Sequence, residues 1–283
     1  MRVKLGVASA AVLLFTSIAA TVSADTEQEI VEKFLKQREA KHTKRITWIS
    51  GSFNFNRINR SNDYNRFAIH SSQYFVDTDI PWIGDAKTFG LELGMIVGNR
   101  FAWTIGGEYW LKMGVNKSGP FTYDPPADAP VTVDNLKSEV RVWGLTSSIQ
   151  CYLLNPPTKA DLLARPALRL GASVGFYQAS WDLWDSYQNL NLATSAPEGT
   201  NTTYKGTAPG FTLKFGVDYP LRFHGLVFGV DFGLMYLNFT NVAWYNTSDQ
   251  EVVVTYNESA DSRVDLNLTG FTGKVEIKKF FKL

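Results

Sequence analysis

The sequence predicts an eight-stranded antiparallel up-and-down transmembrane β-barrel preceded by a short N-terminal helix. Three observations carry that expectation. From Ile46 onward, apolar and polar residues alternate with period two in eight segments, as on strands with one oily and one polar face. The connections between the segments alternate long and short, beginning long, as in barrels with long loops at one end and tight turns at the other. Beyond the N-terminal leader no apolar run reaches the roughly 18 residues that a membrane helix needs. A spanning chain of this kind satisfies its backbone only as a closed barrel.

Residues 1–24 read as a signal peptide. Arg2 and Lys4 supply the positive region, Val7 to Ala20 the apolar region, and Val22-Ser23-Ala24 the cleavage site. Residues 25–45 read as a periplasmic helical arm. Thr26-Glu27-Gln28-Glu29 has the capping-box form, and Ile30, Val31, Phe34 and Leu35 share one helical face opposite Glu32, Lys33, Lys36 and Arg38.

The barrel is expected over 46–283, with long outer loops near 57–87, 115–136, 182–209 and 240–262. Ile49, Phe53 and Phe55 alternate with Ser50, Ser52 and Asn54 in the first strand. Phe89, Leu91, Leu93, Met95 and Val97 define the second, which ends in a tight Gly98-Asn99 hairpin. Phe101, Trp103, Ile105, Tyr109, Leu111 and Met113 define the third. The fourth breaks the rule: Val140 and Val142 share one parity, while Leu145, Ile149, Cys151 and Leu153 share the other. A slip of one residue exchanges the faces, which predicts a β-bulge near Trp143-Gly144. Leu168 to Phe176, Phe211 to Tyr219 and Leu226 to Tyr236 continue the pattern. The chain closes on Leu266–Leu283, with Phe271, Val275, Ile277, Phe281 and Leu283 on the apolar side and Lys274, Glu276 and Lys278 opposite.

Composition narrows the function classes. The 283 residues carry a formal net charge of +1, unlike a nucleic-acid binder, which needs a basic surface. Hydrophobic content of 45% with a mean hydropathy of −0.13 is too polar for a helical membrane protein, but suits a barrel in which only alternate residues meet lipid. A single cysteine, Cys151, excludes an internal disulfide.

Parity places Glu92, Glu108, Glu139, Asp218, Asp231 and Glu276 inside, with Lys112, Arg141, Arg169, Lys214, Lys274 and Lys278. Six acids against six bases in a lumen only wide enough for side chains point to a salt-bridged filling, because buried charges persist only when paired. A gated polar channel is the alternative.

Catalytic chemistry has thin support. His70, Ser72 and Asp77 in the first outer loop supply the ingredients of a nucleophilic site, without a surrounding motif. His42 and His224 have no metal-ligand partners at useful spacing. Asp77 and Asp79 are too few carboxylates for a cation site. No metal and no cofactor is expected.

The stretch LTGFTGKVEIKKFF, with the strand pattern and loop alternation, resembles the small outer-membrane β-barrel proteins of Gram-negative bacteria, of the outer membrane protein X, W and opacity-protein type. The resemblance implies an outer-membrane location with periplasmic termini, assembly through the terminal strand by the barrel-assembly machinery, lipid and lipopolysaccharide contacts, a monomer and no nucleic-acid partner. Those families serve in adhesion, envelope integrity or passage of small hydrophobic molecules. The first expectation here is a non-enzymatic surface barrel whose loops serve adhesion or envelope contacts, with the aromatics Tyr64, Phe67, Tyr74, Phe75, Trp82, Trp184 and Tyr187 as sticky loop surface. A narrow conduit for small hydrophobic solutes and a lipid-modifying acyl hydrolase using His70 and Ser72 are the alternatives.

Overall fold

The computed structural model describes residues 46–124, 129–155, 165–184, 202–221, 225–245 and 264–282. The expected signal peptide, the helical arm, His42, Tyr187, His224 and Leu283 lie outside the described residues. In chain order the elements are β1 (Ile46–Ile58), α1 (Asp63–Ser72), β2 (Asp85–Val97), β3 (Phe101–Tyr123), β4 (Val131–Leu154), β5 (Ala167–Trp184), β6 (Thr202–Leu221), β7 (Leu226–Tyr245), β8 (Val264–Asn267) and β9 (Gly270–Lys282).

Every strand pairs antiparallel with its neighbour. β1 through β7 follow one another around the wall, and β9 fits between β7 and β1. The β1–β9 register runs from Ile46 opposite Lys282 to Ile58 opposite Gly270, so the ring of eight strands closes without an edge. β8 stands on β7 alone and leads into β9 after a break at Leu268-Thr269. The break keeps its bonds: the Leu237 amide donates to Thr269 Oγ1 at 3.1 Å, and the Leu268 amide donates to the Leu237 carbonyl at 2.8 Å.

The two faces of the wall differ as the alternation predicts. Ile49, Phe89, Leu91, Ile105, Leu145, Val174, Phe215, Phe232 and Ile277 are exposed on the outside. Ser50, Asn54, Thr88, Thr104, Ser148, Ser173 and Thr212 are buried within.

The fourth strand corrects the expected bulge. β4 runs in unbroken register with β5 through Trp143 and Gly144, and its even residues, from Leu136 through Val140 and Val142 to Ser148, all face inward and are buried. The irregularity is on β3, which advances from Trp110 to Met113 while β4 advances only from Val142 to Val140. The extra residue exchanges the faces of β3, so Met113 and Val115 turn inward. Val140 and Val142 misled the parity argument because the lumen itself is apolar at their height.

Two further differences concern the long loops. The strands climb beyond the expected span: β3 reaches Tyr123, β4 starts at Val131 and β6 at Thr202. The 57–87 connection contains α1. Asn62 Oδ1 accepts from the Asn65 amide at 2.8 Å, a side-chain N-cap, and Asp63 sits in the first turn where the helix dipole favours an acid. Asn65 then anchors the loop, accepting from the Ile83 amide at 2.6 Å and donating to the carbonyls of Ile83 and Arg60 at 2.9 and 3.0 Å.

Candidate functional site

The lumen is built in layers. At the short-turn end Trp48, Ala102, Tyr152 and Ala167 form a small apolar floor, with Ile96 and Phe280 packed against it. Trp48 and Phe280 bring their rings to 5.2 Å.

Above the floor sits a charged layer whose members are almost wholly buried: Glu92, Arg169, Asp218, Asp231, Lys274, Glu276 and Lys278. Arg169 is its hub. Its Nε donates to Asp218 Oδ1 at 3.0 Å and its Nη1 to Gln150 Oε1 at 3.0 Å, while Nη2 pairs with Asp231 Oδ1 at 2.9 Å and donates to Glu276 Oε1. Lys278 donates to both oxygens of Asp218 at 2.9 and 2.8 Å and lies 3.1 Å from Glu276. Lys274 donates to Glu92 at 2.5 Å and reaches Glu276 at 3.1 Å. Tyr152 donates to Asp218 at 3.2 Å. Such pairs hold because each ion lies against an opposite charge and most are hydrogen-bonded as well, Asp231 being held by its ion pair with Arg169 without a hydrogen bond. Loss of one partner leaves a buried charge without compensation. Lys214 and Glu108 face the same lumen beside Asn54, Asn56, Thr212 and Asp231, around a void of about 10 Å³, the size of a single water. Glu108 accepts from the Tyr177 hydroxyl at 3.2 Å.

The long-loop half is apolar. Trp110, Met113, Val140, Val142, Trp181, Tyr204, Leu237, Phe239 and Leu266 are buried there, with Tyr64 and Ala68 of α1 among them. Tyr64 and Ala68 are four residues apart and so share a helix face. Trp181 stacks on Tyr204 at 4.8 Å and donates to Ser138 Oγ at 2.9 Å. The Tyr64 hydroxyl donates to the Ser138 carbonyl at 3.2 Å, and burial, with the Glu139 charge nearby, pushes its pKa up to about 12. This plug is not part of the fold expected from the strand pattern. Its signals were the N-cap at Asn62 and the tryptophans Trp110 and Trp181, which fall on the inward parity.

Three of the charges expected in the lumen are elsewhere. Lys112, Glu139 and Arg141 lie on the outer wall, because the β3 bulge turns Lys112 outward and the unbroken β4 keeps Glu139 and Arg141 on the side of Trp143. There they join Lys137 and Asp182: Arg141 Nη2 reaches Asp182 Oδ2 at 2.7 Å, and Glu139 Oε2 lies 3.7 to 3.8 Å from Lys112, Lys137 and Arg141.

Of the expected nucleophilic residues, His70 and Ser72 fall in α1, with the side chain of His70 outside the described ones. The Ser72 hydroxyl accepts from the Ile80 amide at 2.8 Å and closes the loop after the helix. Asp77 Oδ2 accepts from the Thr122 amide at 3.1 Å and ties the loop to the tip of β3. Tyr64 and Phe75, expected on the loop surface, are buried in the plug. Among the described residues no group of three or more His, Cys, Asp or Glu could hold a metal ion. On β9, Phe271, Val275, Ile277 and Phe281 form one exposed outer row.

A soluble barrel turns its oily parity inward and its charges to water. Here the Arg169 layer is sealed inside, and below the Lys137–Asp182 cluster large apolar side chains cover the wall, a surface compatible with lipid and not with water. The chain is a transmembrane β-barrel. It matches no protein-family profile and no curated protein. Solved structures similar to it include the outer membrane protein OprG from Pseudomonas aeruginosa, at 12% identity with a TM-score of 0.48, covering 86% of this chain and 98% of that one. A major outer membrane protein from Thermus thermophilus has 13% identity and a TM-score of 0.49, with coverage of 85% and 100%. The attachment invasion locus protein Ail of Yersinia pestis, in complex with a heparin analogue, has 11% identity and a TM-score of 0.37, with coverage of 84% and 99%. Identities this low carry no activity or ligand from those proteins to this barrel.

Proposed function

We propose that the chain is a non-enzymatic, non-conducting surface protein of a bacterial outer membrane, with both termini periplasmic and the long-loop end turned outward. The observation that supports this best is the Arg169-centred layer held between the Trp48 floor and the Tyr64–Trp181 plug. Ions crossing the lumen must break buried pairs at one level and displace packed aromatics at another. At the long-loop end Ile69, Val76 and Trp82 are exposed, and the Arg60 guanidinium lies 4.1 Å from the Trp82 ring centroid. Amphipathic surface of this kind suits adhesion to a protein or envelope partner. Assembly machinery reads the outer row of β9 with Leu283, lipid and lipopolysaccharide surround the wall, and the barrel works as a monomer.

Planar-bilayer recording of the folded chain tests the reading: no unitary conductance is expected, and stable channels overturn it. The apolar upper lumen favours one other reading, a conduit for small hydrophobic solutes. Uptake of such a solute into liposomes carrying the barrel, at a rate above empty liposomes, selects it.

A further inference from the structure

The glycines of the wall divide into two kinds. Those that face inward, such as Gly90, Gly106 and Gly144, are needed for packing: a Cβ there collides with Ser52, Glu92 or Tyr177. Gly51 and Gly107, like Gly273 on β9, face outward, where a Cβ meets nothing nearer than 3.8 Å. A strand loses stability at a glycine without gaining contacts, so these positions call for a reason on the lipid side. Gly51 and Gly107 line an apolar groove of about 760 Å³ in the outer wall, together with Phe53, Phe89, Trp143 and Leu145. That volume lies within the range that holds a ligand.

The groove leads to charge. Tyr109 and Trp143 are paired on β3 and β4. Next above them on the same face come Lys112, in the bulge, and Arg141. Arg141 is level with Ser180, and Ser180 with Lys205. From Leu145 to Arg141 the strand climbs about 13 Å at about 3.3 Å per residue. Among the described residues Lys112, Lys137, Arg141 and Lys205 stand with two acids, Glu139 and Asp182, on this stretch of wall, an excess of bases over acids. Glu139 lies within 3.8 Å of three of the cations yet makes no hydrogen bond with Lys112 or Arg141. Lys112 and Arg141 are half-exposed. An apolar groove, an aromatic pair and a basic row in that order match a lipid in the same order: acyl chain, interface, phosphate.

We propose that the outer wall of β1 to β6 is a binding site for a phosphate-bearing lipid of the leaflet at the long-loop end, with its phosphate on Lys112, Arg141 and Lys205 and an acyl chain lying past Tyr109 and Trp143 into the groove at Gly107 and Gly51. The site rests on the membrane reading above and assigns it a ligand class and place.

Native mass spectrometry of the folded full chain in detergent tests it, with diphosphoryl lipid A, its dephosphorylated form and inorganic phosphate as probes. One lipid A is expected to stay bound at saturation, with dephosphorylated lipid held about tenfold less well, the scale of a few charge-assisted contacts at a half-exposed site. Lys112→Ala with Arg141→Ala is expected to erase the preference for the phosphorylated form. Gly107→Leu, placed in open space, is expected to weaken both lipids equally. Equal retention by wild type and both variants overturns the site, and so does complete displacement by millimolar inorganic phosphate, which would leave only an anion site. Flotation with lipid vesicles and a heat-dependent gel shift are measured on the same samples. A chain that does not float overturns the membrane reading, whereas one that floats but holds lipid A without preference overturns only the lipid site.

Discussion

Arg169 on β5 and Glu276 on β9 meet inside the barrel, though 107 residues separate them in the chain. The same guanidinium reaches Gln150 on β4, Asp218 on β6 and Asp231 on β7, so one side chain joins five of the eight wall strands. Arg169→Ala leaves three buried carboxylates short of a partner. It is expected to destabilise the barrel by about 3–5 kcal/mol, read as a lower urea midpoint for unfolding from vesicles. An unchanged midpoint removes the charged layer from the account of stability.

The pair Lys274–Glu92, at 2.5 Å, gives a sharper comparison. Lys274→Met strands Glu92, and the single change is expected to lose about 3 kcal/mol. Adding Glu92→Leu removes the stranded charge and is expected to recover part of that loss, because residues in contact are not additive. A double-mutant cycle on urea unfolding measures the recovery, and strict additivity contradicts the pairing.

Tyr64 links the plug to pH. Its pKa is raised from 10.0 to about 12 in the folded chain. The unfolded plug therefore loses this proton first, and the stabilisation is complete below about pH 10 and lost as pH rises through about 12. Protease cleavage at Arg60 or Arg66 is expected to accelerate across that window. Tyr64→Phe is expected to flatten the pH response while lowering plug stability by about 1 kcal/mol for the lost hydrogen bonds.

Deleting Lys112 removes the extra residue of the β3 bulge and leaves Leu111 alone opposite Arg141. Met113 keeps its pairing with Val140, and Met113 and Val115 keep their inward faces, because regular alternation is restored without a slip. An unchanged rate of proteolysis of the 57–84 loop is expected, with the heat-dependent gel shift retained. Faster cleavage shows that the bulge itself, and not only the inward side chains, holds the plug.

The wall was legible in the sequence wherever one face meets lipid along the whole strand. Phe211 to Tyr219 and Phe271 to Phe281 alternate as expected, with their large apolar side chains on the outside. Legibility failed where the inside ceased to be polar. Val140 and Val142 face an apolar lumen, so the rule that oily means outward assigned them to the wrong side and took Glu139 and Arg141 with them. Helix α1 escaped because, among its described side chains, Tyr64 and Ala68 are the apolar ones on the buried face, in a short segment rich in polar residues. The charges of the Arg169 layer were found by parity alone, since an inward strand position fixes a side chain's destination. Their pairing was not legible, because it depends on register between strands far apart in the chain.

The clasp at Arg169 also has a bearing on the order of events during assembly. Gln150 precedes it in the chain, but Asp218, Asp231 and Glu276 follow, and Glu276 belongs to the last strand. Closure of β1 with β9 is the most non-local step in the topology, and such contacts form late because the intervening chain must first be gathered. Until then the guanidinium lacks one carboxylate, and Lys274 and Lys278, carried on β9 itself, have not met Glu92 and Asp218. The full pairing of these charges is thus a property of the complete chain only. A chain ending before Gly270 is expected to remain protease-sensitive in vesicles, with its unfinished sheet marked for removal by the charges it cannot cancel.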